Sequence, residues 1–395
     1  MKNSINIFTN YFPPEKCAAA NRMNNLANAL IDRNYKINII TSMPNYPYGK
    51  VFKEYRKRIY KYENMNNLNI YRLWIYPSNS KNIFIRLFSM FSFSLSLFFF
   101  LPKLFFLKGK YNLIQGHPLI STFVSIIICK KILRRKVILN ISDIWPLSGL
   151  ELGYFKKNYM YKILKFIEKM NYNLSDKIIV QSEETKIYLN DKFDKESFLY
   201  MNLPNHSFKK NIVDKYDNNS IKIFYAGLLG HAQGIAKLCR AINFDSLDIE
   251  FHIFGDGGEA KEIKKISNKT NNIIFHGMTD QKDLLKKIIN FDYGLVSLAS
   301  KIYGAFPSKI YDLINLSIPI LYVGEGAPGA MIKKYNIGWT INSNDYVKLN
   351  KIFKEIKNLS KEEYLKIVEK MNDLSNNKYC FNKQIIDFEN FCKKL

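Results

Sequence analysis

Twice along this chain a short β-branched run gives way to a helical pattern and then to another apolar run. The first instance is INIFTNYFPPEKCAAANRMNNLANALIDRNYKINIITS. There Ile5, Ile7 and Phe8 precede a proline-rich loop, Met23, Leu26, Ala27 and Leu30 fall at helical spacing, and Ile37, Ile39 and Ile40 resume a strand pattern. Strand, helix, strand is a βαβ unit, whose two strands run parallel because the helix spans the crossover. Parallel sheets need cover on both faces, so this feature commits the chain to a layered α/β architecture. NIYRLWIY, YNLIQGH, VILNISD and KIIVQS are further strand candidates. The alternation then restarts, with IKIFYAG, IEFHIFGDG, NIIFHGM and YGLVSL separated by the helical segments IAKLCRAIN, EAKEIKKIS and QKDLLKKII.

A chain of 395 residues exceeds one ordinary core, and the restart divides it. We expect an α/β protein of two Rossmann-like, doubly wound parallel-sheet domains facing a central cleft. The first covers 1–203 and the second 204–375. A C-terminal helix over 376–395 is expected to pack back on the first domain. Ligands of open parallel sheets bind beyond the carboxyl ends of the strands, where Gly227, Gly255, Gly257 and Gly277 fall.

The 59 Lys and Arg against 34 Asp and Glu give a formal net charge of +25, which implies an anionic partner. The charge is uneven. No acidic residue occurs between Glu63 and Asp143, while Arg72, Lys81, Arg86, Lys103, Lys108, Lys110, Lys130, Lys131, Arg134, Arg135 and Lys136 all lie there. Within this stretch, Leu87 to Pro102 (LFSMFSFSLSLFFFLP) carries no charge. A helix of that length spans about 24 Å, short of a hydrocarbon core of roughly 30 Å. With serines at 89, 92, 94 and 96, it suits a helix lying partly against protein and partly in a membrane interface. The segment 81–136 is therefore expected to touch an anionic membrane surface. Nucleic acid is not expected, because the basic run is interleaved with an apolar helix rather than a reader motif. The five cysteines form no CxxC pair or zinc spacing and read as reduced thiols; no signal-peptide pattern precedes Pro13.

At GAFPSKIYDLINLSIPIL, Pro307, Ser308 and Lys309 open a helical pattern. Ser308 suits an N-cap. Equally, a helix N-terminus with a lysine beside it suits phosphate.

The ordered set YFPPEKCAAANR, MPNYPYGKVF, SDIWPLSGLELG, FYAGLLGHAQGI, FGDGGEAKEI, FHGMTD and FPSKIYDLINLSIPIL resembles the family 4 glycosyltransferases, in particular the bacterial branch of L-fucosamine transferases of O-antigen and capsule assembly. The likeness covers nearly the whole chain and is weakest near 60–110 and 340–375. It implies a GT-B fold and a retaining, metal-independent transfer. The implied donor is UDP-linked, an N-acetylated deoxyhexosamine such as N-acetyl-L-fucosamine. The implied acceptor is a lipid-diphosphate-linked saccharide at the inner face of the cytoplasmic membrane. No cofactor beyond the nucleotide sugar is implied.

Carried over by position, the donor residues are Gly227, Gln233, Gly255, Gly277, Met278, Pro307, Ser308, Lys309, Asp312 and Glu325. His117 and Asp143 join Lys309 as catalytic candidates, either of which is equally readable as structural. Glu15, Ala18, Ala19, Arg22, Asn45 and Tyr46 are acceptor-side candidates. Two departures matter. Relatives place Arg and Lys after the glycine equivalent to Gly227, where this chain has His231 and Gln233, and their first glutamate is replaced by Gly304, with Asp312 in the second glutamate's place. The diphosphate charge then falls to Lys309. Rival readings are a nucleotide-sugar 2-epimerase of the same fold and a non-catalytic GT-B subunit.

Overall fold

The computed structural model describes residues 4–78, 80, 83–153, 156–205, 220–299 and 303–395. The chain divides into two compact units: Met1–Asn202 with Tyr303–Ala305 and Asn382–Leu395, and Leu203–Ile302 with Phe306–Phe381. The sequence expectation of contiguous halves changes at two points, since Tyr303–Ala305 falls with the first unit, and the second unit runs to Phe381 rather than 375, with the C-terminal helix beginning there rather than at 376. Gly304 has φ +81°, its N–H donates to Glu184 and its carbonyl accepts from the Ser182 hydroxyl, both at 2.8 Å. A Cβ there would meet Thr185 Oγ1 at 2.8 Å, so this backbone has no room for the glutamate that the resemblance would place here.

The first unit is built on strands β1 (Ser4–Thr9), β2 (Lys36–Ser42), β3 (Tyr60–Met65), β4 (Leu68–Leu73), β5 (Tyr111–Gln115), β6 (Val137–Ile141), β7 (Lys177–Val180) and β8 (Ser197–Leu199). They form one sheet in the order β3-β4-β2-β1-β5-β6-β7-β8. All pairs are parallel except β3 with β4, an antiparallel hairpin at the sheet edge. The parallel strands run outward in both directions from the β1/β5 junction, as in doubly wound folds. A row of amides fixes their register. Asn64 donates to Asn69, Asn69 to Asn38, Asn38 to Asn6 and Asn6 to Asn112 at 2.6, 2.8, 2.8 and 3.0 Å. Each pair is directly opposed across neighbouring strands, so a one-residue slip would strand the buried amides of Asn6, Asn38, Asn69 and Asn112.

The apolar segment forms a helix over Ile83–Phe106, 24 residues long rather than the 16 of its uncharged stretch. At about 36 Å it is long and apolar enough to cross a membrane, so the length argument from sequence does not hold. One face packs into the first unit through Phe93, Leu97, Phe100 and Leu104. Two of its serines bind protein. Ser92 accepts from the Tyr76 N–H and Ser96 donates to the Trp74 carbonyl. The opposite face leaves Phe91, Leu95, Phe98, Phe99, Phe105 and Phe106 in solvent, with Phe99 and Phe106 each 81% exposed. Lys81 and Asn82, at the start of the basic stretch, lie outside the described residues.

Some of the basic stretch is internally engaged. Arg72 is 1% exposed and paired with Glu63 at 3.0 Å. Arg135 donates to the carbonyls of Leu107 and Phe105 at the end of the long helix, and Lys130 pairs with Asp176. The C-terminal helix Phe381–Lys393 is pinned by paired bonds between Gln384 and the Met201 backbone and by the Arg33–Glu389 ion pair.

The second unit carries β9 (Ile221–Ala226), β10 (Ile249–Phe254), β11 (Ile273–Gly277), β12 (Tyr293–Ser297), β13 (Ile320–Val323) and β14 (Gly338–Ile341). The order β11-β10-β9-β12-β13-β14 is the Rossmann order, and its direction reverses between β9 and β12. Every pair is parallel, so the loops that follow these strands gather along one sheet edge.

Candidate functional site

The reversal point of the second sheet is where Gly227, at the end of β9, lies. Three glycines permit a close backbone approach here. Gly227, Gly255 and Gly257 have φ of +153°, +145° and +154°, which side chains rarely adopt. A Cβ on Gly255 would stand 1.8 Å from the Gly227 carbonyl oxygen, and one on Gly257 2.4 Å from that of Leu229. Backbone bonds from Gly227 to Phe254 and from Leu229 to Asp256 knit the two loops together.

The space that a side chain at Gly227 would fill holds the Lys309 ammonium, 2.0 Å from the ideal Cβ position. Lys309 begins the helix Lys309–Leu316, which follows β12 in the chain. Its Nζ donates to the Tyr225 hydroxyl at 3.1 Å and lies 4.2 Å from the centre of that ring. Burial pulls the lysine down to about 8, against the opposing pull of Asp312. Burial likewise raises Asp312, one turn along, to about 7, with Lys309 acting to lower it. A cation held poorly solvated beside glycine backbone and a helix start is chemically suited to an anion.

The remaining donor candidates fall at the same sheet edge in unequal roles. Gly277 ends β11 with φ +69°, Met278 beside it is exposed, and Glu325 is exposed after β13. Ser308 occupies the N-cap position, but its backbone is helical and its side chain makes no capping bond, so the capping reading fails. Behind Pro307 the Ile310 N–H already bonds the Pro307 carbonyl. Gln233 also departs from expectation. Its side-chain oxygen accepts from the Gly230 N–H at 3.3 Å, closing its own turn. Sequence reading missed Glu259, buried, which accepts from the Ala236 N–H and pairs with His231 at 3.0 Å. It missed Tyr225 as well. A tyrosine inside an otherwise apolar strand was the available signal, since a buried phenol needs a partner.

In the first unit, the acceptor-side candidates lie after β1 and β2 and the catalytic candidates His117 and Asp143 after β5 and β6, at the carboxyl edge of that sheet. Glu15 is 1% exposed, and its carboxylate accepts from the backbone N–H groups of Phe12, Asn45 and Tyr46 at 3.2, 2.9 and 2.9 Å. Burial raises its pKa despite these three donors. It therefore joins two loops and has no free oxygen for an acceptor. Arg22 is also buried. It donates to Asn202 and Ser142, and burial lowers it to about 10, opposed by Asp143. Ala18 and Ala19 open the helix Ala18–Ile31 and are exposed and half-buried. The Asn45 amide turns back to the Met43 carbonyl, and Tyr46 meets Tyr11 edge to face at 5.7 Å. Asp143 is exposed, and His117, after β5, lies 5.7 Å ring to ring from Trp145, two residues past Asp143 in the loop after β6. Among the described residues no group of three His, Cys, Asp or Glu could hold a metal ion.

No family model and no curated protein sequence matches the chain. Solved structures match over its full length. The E. coli trehalose-6-phosphate structure bound with UDP-2-fluoro glucose aligns at TM-score 0.69 and 12% identity, covering 100% of this chain and 99% of the other. WaaG, a glycosyltransferase involved in lipopolysaccharide biosynthesis, aligns at 0.67 and 10%, covering 97% and 99%. The catalytic domain of starch synthase IV from Arabidopsis thaliana, bound to ADP and acarbose, aligns at 0.67 and 11%, covering 100% and 99%. The fold is thus the two-domain parallel-sheet architecture of the GT-B glycosyltransferases.

Proposed function

We propose that this chain is a retaining glycosyltransferase that moves a sugar from a UDP-linked donor, an N-acetylated deoxyhexosamine such as N-acetyl-L-fucosamine, onto a lipid-diphosphate-linked saccharide in surface-polysaccharide assembly. The observation that carries the reading is the Lys309 ammonium seated over Gly227 at the β9/β12 reversal. A nucleotide diphosphate placed there meets glycine backbone and one poorly solvated cation. When the bond from the sugar C1 to the β-phosphate oxygen breaks, negative charge grows on that phosphate and the contact with Lys309 strengthens. The acceptor oxygen bonds C1 on the same face, and its proton passes to the departing phosphate. No metal is needed for this charge. The neighbours bound with UDP-2-fluoro glucose and ADP support a nucleotide donor.

Asp312 is assigned to the donor's ribose hydroxyls and Glu325 to its sugar. His117 and Asp143 are assigned catalytic roles, His117 toward the donor sugar and Asp143 toward the acceptor hydroxyl. The exposed phenylalanine face of Ile83–Phe106, with Lys103, Lys108, Lys131 and Arg134 near it in sequence, supports docking of the first unit on the cytoplasmic face of an anionic membrane. The buried face argues for lying on that surface, because a crossing helix would strip Phe93, Leu97 and Phe100 from the core.

The test is a panel of UDP-sugars incubated with a lipid-diphosphate saccharide and read by mass spectrometry. Transfer adds one glycosyl residue and releases UDP. Isomerised UDP-sugar in the absence of acceptor would identify an epimerase, and unchanged donor throughout a binding subunit.

A further inference from the structure

We infer that Tyr225 is a positioning residue for Lys309, holding its ammonium over Gly227 by a hydrogen bond and a ring contact. This deepens the donor-site reading above and rests on it. Tyr225 is the penultimate residue of β9, directly before Ala226-Gly227, and its side chain is fully buried. Its hydroxyl donates to the Leu228 carbonyl at 2.7 Å, which turns its lone pairs toward Lys309 at 3.1 Å. The ring lies 4.2 Å from the same nitrogen, so one side chain holds the cation by two contacts and fixes the loop beneath it. A lysine stem has four rotatable bonds and places its charge poorly unless something else restrains it. At Gly227 the missing Cβ provides the space, and Tyr225 provides the restraint.

The charged and titratable groups that bear on Lys309 are Asp312 on its own helix and Tyr225 on β9, with Glu259 acting on Tyr225. Removing only the hydroxyl deprives the ammonium of an acceptor while leaving the ring.

The experiment pairs Tyr225→Phe with Lys309→Ala in a double-mutant cycle, alongside a 13Cε-lysine NMR titration of the full chain. With transfer as readout, Tyr225→Phe alone should lower kcat about tenfold, with little change in donor KM. In the Lys309→Ala background the same change should cost less than about twofold. The Lys309 resonance, assigned by its loss in Lys309→Ala, should titrate at a lower midpoint in Tyr225→Phe. Equal losses of kcat in both backgrounds, or an unmoved midpoint, would overturn the inference. If the wild type neither binds UDP nor transfers sugar, the donor-site reading fails, and the NMR midpoint still decides whether Tyr225 positions Lys309.

Discussion

Replacing Gly227 by alanine tests the Lys309 seat through a residue that has no side chain of its own. The added Cβ would stand 2.0 Å from Nζ and 2.4 Å from Cε of Lys309, where ordinary contact begins at 3.4 Å. The ammonium must retreat by about 1.4 Å, the difference between the first and last of these. A retreat of that size lifts Nζ off its seat over Gly227. The φ of +153° adds backbone strain. A charge-stabilising donor removed from a preorganised site costs about 10²–10³ in kcat, or about 2.7–4 kcal/mol. Donor affinity should fall less, because the contact strengthens as the leaving group charges. The assay is UDP release in the presence of acceptor, with Gly258→Ala as control, since nothing lies within 4 Å of a Cβ there. A folded Gly227→Ala enzyme with kcat within about threefold of wild type would refute the placement of Lys309 on the leaving group.

Other consequences are equally specific. Lys309→Ala should depress turnover more than affinity for the intact UDP-sugar donor, measured by steady-state kinetics and calorimetry. Because Lys309 sits near 8 and an anion favours its charged form, UDP affinity should be full below pH 8. It should fall toward tenfold per pH unit above that, and Lys309→Ala should flatten the dependence. Asn38→Ala breaks the amide row on both sides, leaving Asn6 Oδ1 and the Asn69 amide nitrogen without this partner; denaturant unfolding should show a loss of about 2–4 kcal/mol. The double variant Phe99→Asp, Phe106→Asp should fold normally and lose flotation with anionic vesicles. Each exposed ring contributes about 1.5–3 kcal/mol when buried.

Much of this was legible in the sequence because it rests on period and on glycine. Strand runs such as Ile5–Phe8 and Ile223–Ala226 announce themselves, and glycines at strand ends mark where backbones approach. The β3/β4 hairpin was not legible, since Tyr60–Met65 alternates polar and aromatic residues on an exposed edge. Nor was β14, whose Gly338–Ile341 run is four residues long. The Pro-Ser-Lys start indicated a helix and a cation; Lys309 opens that helix beside Gly227, while Ser308 does not cap it. Glu15 illustrates the harder case. Its carboxylate is committed by N–H groups thirty residues away, at Asn45 and Tyr46, and no local pattern could reveal that. Arg72 likewise looked like part of a solvated basic run until β3 brought Glu63 against it.

The most direct measurement is a crystal structure of the UDP complex, with the distance from the nearest β-phosphate oxygen to Lys309 Nζ as its readout. The donor-site assignment predicts about 2.7–2.9 Å, a charge-assisted hydrogen bond, with the diphosphate over Gly227. UDP bound elsewhere, or a diphosphate more than about 6 Å from that ammonium, beyond any direct pairing, would contradict it.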